Sequence, residues 1–452
     1  MKKMIEAAIV TAAILCTCAS VSAQNAYSGY FLDGYTYRYQ MNPAFANEKN
    51  FISLPVLGNF DLSLSSDIKV SSILYNVDGQ TVFFANPKVS SEEAMKGFDK
   101  VNDLKADLKL GILSAGFKGF GGYNTISVNA VVGAHTGIPG SLFSLVKEGV
   151  GNREYDLSGL YLDGSGYAEI ALGHSHEIKA VPGLRIGATL KFLVGLAFAE
   201  TDIQKANLVL GEDNWTASTQ GDVYLNILGT KFSTKTNDQG REYVSGVNFD
   251  ASEIAPAGFG FGVDLGAVYE FRDFVFSAAV NNLGAINYKN VQSASTGGTR
   301  TFELDRFVFS VDDDAENSFD NVSDEIVDAL KDLYELQDKG NIGSRSRSLA
   351  TTLNLGVQYK FPVYRKLSFG LLSSTVFDTG NTFSSVRLSA NLAPAKCFSA
   401  GVNVGMGSFG AEFGAMLSLH STGFNFFLGV DRVPMFPNLP NLHLNTGINF
   451  LF

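Results

Sequence analysis

Over its final residues the chain alternates strictly. Leu442, Leu444, Thr446, Ile448, Phe450 and Phe452 share one face, and His443, Asn445, Gly447 and Asn449 share the other. A period of two is the mark of a strand, and an apolar face backed by a polar one over this length suits a strand that crosses a membrane. The same pattern recurs in Phe398-Ala400-Val402-Val404-Met406, Phe413-Ala415-Leu417-Leu419 and Phe424-Phe426-Leu428-Val430. Upstream it returns in Phe259 to Phe271 taken at alternate positions, and in Leu184-Ile186-Ala188-Leu190-Phe192-Val194-Leu196-Phe198. These runs outlast the usual globular strand of about five or six residues. A soluble sandwich would need one wet face, yet apolar faces occur on every strand with no other layer to bury them. Lipid is the simplest partner, and the expected fold is an all-β transmembrane antiparallel barrel.

The connections set the topology, because such barrels join strands by short turns at one end and longer loops at the other. Short turns are expected at 118–123, 179–183, 272–273, 362–366, 394–396 and 420–423. Long connections fall at about 66–106, 136–164, 201–257 and 289–348. With both termini on the short-turn side, the count is about 14 strands, an even number. Three long connections carry helical patterns. Ser90 and Glu93 form a capping box before Ala94, Phe98 and Val101; Pro139 precedes Leu142, Leu145 and Val146 and a stop at Gly149; Ile326, Leu330 and Leu333 repeat the spacing before Gly340. Such helices need an apolar surface, and the outer mouth of the barrel is the nearest.

Composition and charge sharpen this picture. Lys2 and Lys3, the apolar run Ala7–Cys18 and the small-residue site Val21-Ser22-Ala23 read as a signal peptide over 1–23. Removing it takes the net charge from −11 to −12, which argues against a nucleic-acid partner. Cys16 and Cys18 leave with it, and Thr17 makes their neighbourhood a poor lipidation box; Cys397 alone cannot form an intrachain disulfide. No uncharged apolar run of about 18 residues follows the signal, so no helix is available to span a membrane. Forty-seven glycines, 36 phenylalanines and only 11 prolines favour many long strands instead.

Before the first strand lies an N-terminal segment, 24–50, dense in aromatics: Tyr27, Tyr30, Phe31, Tyr35, Tyr37 and Tyr39. It ends in Asn42-Pro43-Ala44, where Asn-Pro signals a turn. Here the sequence resembles the long-chain fatty-acid transporter superfamily, 14-stranded barrels with an Asn-Pro-Ala motif in an N-terminal segment that folds into the lumen as a plug. It is still more similar to the uncharacterised branch of such barrels found beside type IX secretion systems, where the motif precedes a strand like Ile52-Ser53-Leu54-Pro55. The resemblance implies a luminal plug and passage of hydrophobic small molecules. Tyrosines replace the Gly/Ala-rich stretch of the true fatty-acid transporters, so substrate identity is not carried over. The alternative is a structural or docking partner of surface secretion machinery.

Parity places Gly258, Gly260, Gly262, Asp264, Gly266 and Glu270 toward the lumen, with Ser399, Gly401, Asn403, Gly405, Glu412 and Gly414. Small residues there leave room for a plug or passage, or ease the sheet's curvature. The candidate substrate or plug residues are therefore Asn42, Pro43, Ala44, Asp264, Glu270 and Glu412. Phe450 and Phe452 form a C-terminal aromatic signal for barrel assembly machinery. His174 and His176 share the outward parity of Ile170 and Leu172, which favours interfacial packing over a metal site, since no third ligand is visible. The run Asp312-Asp313-Asp314-Ala315-Glu316 lacks calcium-loop spacing and reads as a solvated loop. Asn214-Trp215-Thr216 fits a glycosylation pattern that means little in a bacterial protein. Of five histidines only His135 falls near an outer strand end, with no nucleophile or carboxylate recognisably beside it, so neither catalysis nor a cofactor is expected.

Overall fold

The computed structural model describes residues 26–149, 153–211, 214–237, 240–250, 254–305, 333, 335–378, 381–408, 410–421, 423–434 and 441–452. The expected signal peptide, the acidic run 312–316 and the helical positions Ile326 and Leu330 lie outside these residues. Among the described residues, 14 strands close into one antiparallel barrel. They are β1 (Phe51–Ser53 and Phe60–Ser66), β2 (Val101–Gly119), β3 (Gly122–Pro139), β4 (Tyr161–Glu177), β5 (Leu184–Leu210), β6 (Gly258–Phe271) and β7 (Phe274–Tyr288). There follow β8 (Arg345–Ser348 and Thr351–Lys360), β9 (Leu367–Asp378), β10 (Asn381–Ala395), β11 (Phe398–Gly407), β12 (Gly410–Ser421), β13 (Phe424–Pro434) and β14 (Leu442–Leu451). Each pairs with its neighbours in sequence, and β14 returns to β1 through Phe51 opposite Leu451 and Phe60 opposite Thr446. Closure leaves no open edge, which a sheet in hydrocarbon requires because unpaired backbone groups there have no water to bond.

The alternation in sequence becomes two surfaces. All 14 strands carry at least one large apolar side chain that is more than a third exposed on the outer face, from Ile52 on β1 through Leu190, Phe261 and Leu388 to Phe450 on β14. A continuous apolar girdle of this kind is what a soluble protein avoids and a membrane barrel needs. Inward positions are polar or small: His443, Asn445 and Asn449 on β14 are buried, as are Asp264 on β6 and Asn403 on β11. Several of the short turns are two-residue hairpins. Between β2 and β3, Phe120 and Gly121 both take positive φ (53° and 75°), the mirror-image turn whose twist matches the flanking strands.

Where the structure departs from simple alternation, a bulge is the cause. Leu196 on β5 stands between Gly195, opposite Tyr167, and Ala197, opposite Gly166. That one extra residue turns Phe198 inward, so it is 2% exposed and not part of the outward row expected for it. On β7, Asn281 and Asn282 together oppose Asp264, with Asn282 at φ 60°; on β13, Asp431 and Arg432 together oppose Gly414, with Arg432 at φ 60°. Strand β1 is split, residues 54–59 looping out while Leu54 and Leu57 bond Ile448 and Val56 bonds Ile112.

The long loops hold helix α1 (Ser91–Met95), whose Ser90 hydroxyl caps Glu93 N–H at 3.2 Å, and α2 (Gly140–Glu148), ended by Gly149 at φ 65°. They pack on one another. Phe98 stacks on Phe143 at 3.9 Å, and with Phe84, Val89 and Ala94 they form a separate small core over the hairpin Leu74–Val77/Gln80–Phe83. Val101 belongs to β2 and not to the first helix, and Gly340 lies in a short strand, Gln337–Asn341. Strand β5 runs for 27 residues, roughly 90 Å at about 3.3 Å per residue. Its far half leaves the barrel and pairs with a strand at Asn214–Ile227.

Candidate functional site

The lumen is not empty. Residues 26–45 cross it as two short 3₁₀ turns, Tyr27–Gly29 and Thr36–Gln40, and nearly every side chain is buried. The aromatics pack on one another and on the wall: Tyr30 against Phe45 (5.2 Å), Tyr35 and Tyr37 against Phe427 (5.1 and 5.7 Å), Tyr37 against Phe51 (5.9 Å). Such edge-on pairs add stability beyond the area they bury. Backbone groups that a sheet would have satisfied are met by polar side chains of the wall. Gln358 Nε2 donates to the Phe31 carbonyl, Asn425 Nδ2 to Gly34, and Asn281 and Asn354 Nδ2 to Met41. Seen from the sequence, the lumen-facing Asn and Gln residues were the signal for this fit.

Asn42, Pro43 and Ala44 act together. Asn42 Oδ1 accepts the Ala44 N–H at 2.9 Å, closing an Asx turn, while its Nδ2 donates to the carbonyls of Ala267 and Ala278 at 3.3 Å. The turn sits directly on two wall glycines: a Cβ on Gly266 would strike the Asn42 side chain, and one on Gly187 the Pro43 carbonyl. Asp264 is two residues from Gly266 on the same inner face, so the structure brings it to the same wall as the motif. Glu270 and Glu412 are elsewhere. Glu270 lies at the short-turn rim beside Lys360 (3.3 Å), and Glu412 pairs with Arg387 on the opposite wall.

Between the segment and the long-loop end, two clusters of buried charge line the wall. On one side Lys191 Nζ lies 2.8 Å from Asp264, 3.5 Å from Glu169 and 2.5 Å from Asn282 Oδ1, and Lys109 lies 3.5 Å from Glu169. On the other, Arg387 bonds Asn403 and Glu412 and stacks on Tyr27 at 4.4 Å; Asp431 accepts from the Ser28 N–H and hydroxyl and from Asn403. His443 sits 2.9 Å from Asp61. Of these, Asp264 and Glu412 are candidate site residues from the sequence, and Asn403 and His443 lie on faces that the alternation marks as polar. The signal for the rest was a charged residue between two outward apolar ones, as with Lys191 between Leu190 and Phe192.

Cavities open at both ends of the lumen. The one at the short-turn end, about 460 Å³, is lined by Arg38, Phe45, Glu177, Arg185, Glu270 and Lys360. The one at the long-loop end, about 830 Å³, is walled by β2 to β5 and the first part of β8 and contains His135. Here the expectation of an isolated histidine is corrected. Tyr161 Oη donates to Asp103 Oδ1 (2.6 Å) and meets His135 Nε2 at 2.8 Å. The three residues are 26 and more positions apart in sequence, and only the pairing of β2 with β3 and β3 with β4 joins them. His174 and His176 face outward near the short-turn rim, His174 bonded to Asn124, and no cluster of metal ligands exists among the described residues.

A closed antiparallel barrel with an apolar girdle, a polar lumen and its own chain folded across that lumen defines a membrane β-barrel filled from within. The chain belongs to a family of unknown function, DUF5723, whose pattern matches residues 43–431. No curated protein matches the sequence. Among solved structures it is similar to the toluene transporter TbuX of Ralstonia pickettii, at 9% identity over 92% of each chain with a TM-score of 0.42. It is also similar to a Pseudomonas aeruginosa FadL homologue, at 10% identity over 96% of this chain and 98% of that one with a TM-score of 0.38. The fold is defined by this chain's own strand register.

Proposed function

We propose that this protein resides in the outer membrane and passes small, largely hydrophobic molecules across it, with segment 26–45 as a displaceable plug. The observation that carries the reading is the position of that segment: it crosses the lumen and lines the cavity at the short-turn end, on the wall of β4, β5 and β8 that continues to the cavity at the long-loop end. A barrel of about 14 strands is wider than side chains alone can fill, so a gatekeeper must occupy it or it leaks. Asn42, Pro43 and Ala44 would then set the plug's seat on Gly187 and Gly266, and Asp264 with Lys191 would form the polar neck beside it. No observation among the described residues favours the docking alternative.

Deleting Tyr27–Arg38 tests this. The outer girdle is untouched, so the barrel should assemble, while conductance in a planar bilayer and uptake of a small apolar dye should rise severalfold. A shortened protein that assembles yet conducts and takes up dye no better than the parent defeats the plug.

A further inference from the structure

The outer face of the barrel is not evenly bulky. Across β6 to β10 the register aligns two neighbouring rows of outward residues. One runs from Tyr269 through Phe276 to Leu371, and the next from Ala267 and Ala278 through Ser373 to Val386. The second row is small on most of its strands, while Leu265 and Leu353 stand on its other side. The wall therefore dips into an open groove of about 650 Å³ on the apolar girdle.

Five strands about 4.8 Å apart give this groove a length of roughly 19 Å, the reach of one extended sixteen-carbon acyl chain. It is also inclined. Ala267 lies roughly 17 Å along its strand from the turn at Arg272, and Val386 roughly 30 Å from the turn after Ala395, at about 3.3 Å per residue. Strands tilted by about 35 to 45° produce such a slope. The groove starts near the short-turn rim at β6 and β7 and ends deep in the apolar band at β10.

A chain lying in it leaves its headgroup at the β6–β7 turn, below the interfacial pair Phe274 and Tyr359 (5.0 Å). That turn is basic, in a protein whose net charge is −11. Arg272 is exposed, with its guanidinium 5.1 Å from the Phe271 ring and no carboxylate partner among the described residues. Arg365, 72% exposed, reaches across from the next turn to Asp273 at 3.2 Å, and Lys366 beside it is exposed as well. Three cations thus share one carboxylate. Glu270 does not offset them, because it turns to the lumen with Lys360. A zwitterionic headgroup leaves this positive excess unmatched, and an anionic one neutralises it.

We infer that the groove binds an anionic phospholipid of the leaflet on the short-turn side, one acyl chain along Ala267, Ala278 and Ser373 and its phosphate on Arg272 and Arg365. The inference rests on the barrel lying in a membrane and not on the passage reading.

The full protein in mild detergent is offered equal amounts of phosphatidylglycerol and phosphatidylcholine with the same chains, and the lipid it retains is read by native mass spectrometry. One phosphatidylglycerol should stay bound, favoured about tenfold over phosphatidylcholine. Ala267→Leu with Ala278→Leu, which fills the groove, should cut retention of both lipids about tenfold, whereas Ala400→Leu, on the outward face of β11, should not. Arg272→Gln with Arg365→Gln should abolish the preference and leave the two lipids bound alike. The unmodified protein supplies a second measurement: a phosphatidylglycerol with a diazirine midway along one chain should label Leu355, Leu371 or Val386 on illumination. Equal retention of the two lipids by the parent, retention unaltered by filling the groove, or label scattered around the girdle overturns the inference. So does a two-copy assembly of the parent that the leucines disrupt, since a second copy then covers the groove.

Discussion

Lys191 shows how much a single inward residue carries. Its ammonium, 7% exposed, has Asp264, Glu169 and Asn282 within 3.5 Å, and these come from three other strands. A buried ion pair adds little net stability over an apolar substitute, but removing one partner strands the other charge, at about 3 to 5 kcal/mol. Lys191→Met should therefore lower the midpoint of heat-induced barrel unfolding, read by the change in gel migration, and adding Asp264→Asn should restore part of the loss. A Lys191→Met protein as heat-stable as the parent would mean that Lys109 and solvent, not Lys191, stabilise these carboxylates. Gly266 makes the complementary case, since any side chain there meets Asn42. Gly266→Val should leave the girdle intact but unseat the Asn42–Ala44 turn, so that limited proteolysis cuts within 26–50; unchanged resistance would show that the turn is held by other contacts.

Among the elements, β14 is the one whose two faces were most plainly written, and it also closes the barrel. Phe450 is outward and exposed, and Phe452 exchanges backbone hydrogen bonds with Asn50 at the short-turn rim. A charge at that depth costs only about 0 to 1 kcal/mol directly. If the last aromatic is a signal for assembly machinery, Phe452→Asp should reduce assembled protein in the cell severalfold while the purified, refolded barrel keeps its stability. Equal cellular levels would remove the signal role. Strand β5 teaches the opposite lesson: a run apolar at alternate positions predicts one outward row, and a single extra residue at Leu196 sends its far end inward.

At the scale of the whole molecule, orientation follows from loop length. A tag inserted at Gly297, in the described turn between the strands Gln292–Ser295 and Arg300–Asp305, should be reached by antibody on intact cells, and one at Lys396, between β10 and β11, should not. The reverse result would invert the barrel. The sequence by itself determined the all-β class, the strand count, the turns and which face of each regular strand is apolar, because the pleat imposes a period of two that needs no distant partner. It also marked Asn42-Pro43-Ala44 as a turn, since an Asx turn is local. Tertiary structure alone decided the bulges, the pairing of Lys191 with Asp264 and Glu169, and the meeting of His135, Tyr161 and Asp103. Each of those depends on which strand lies alongside and in what register, and strand register in a closed sheet is fixed only when the whole circuit is joined.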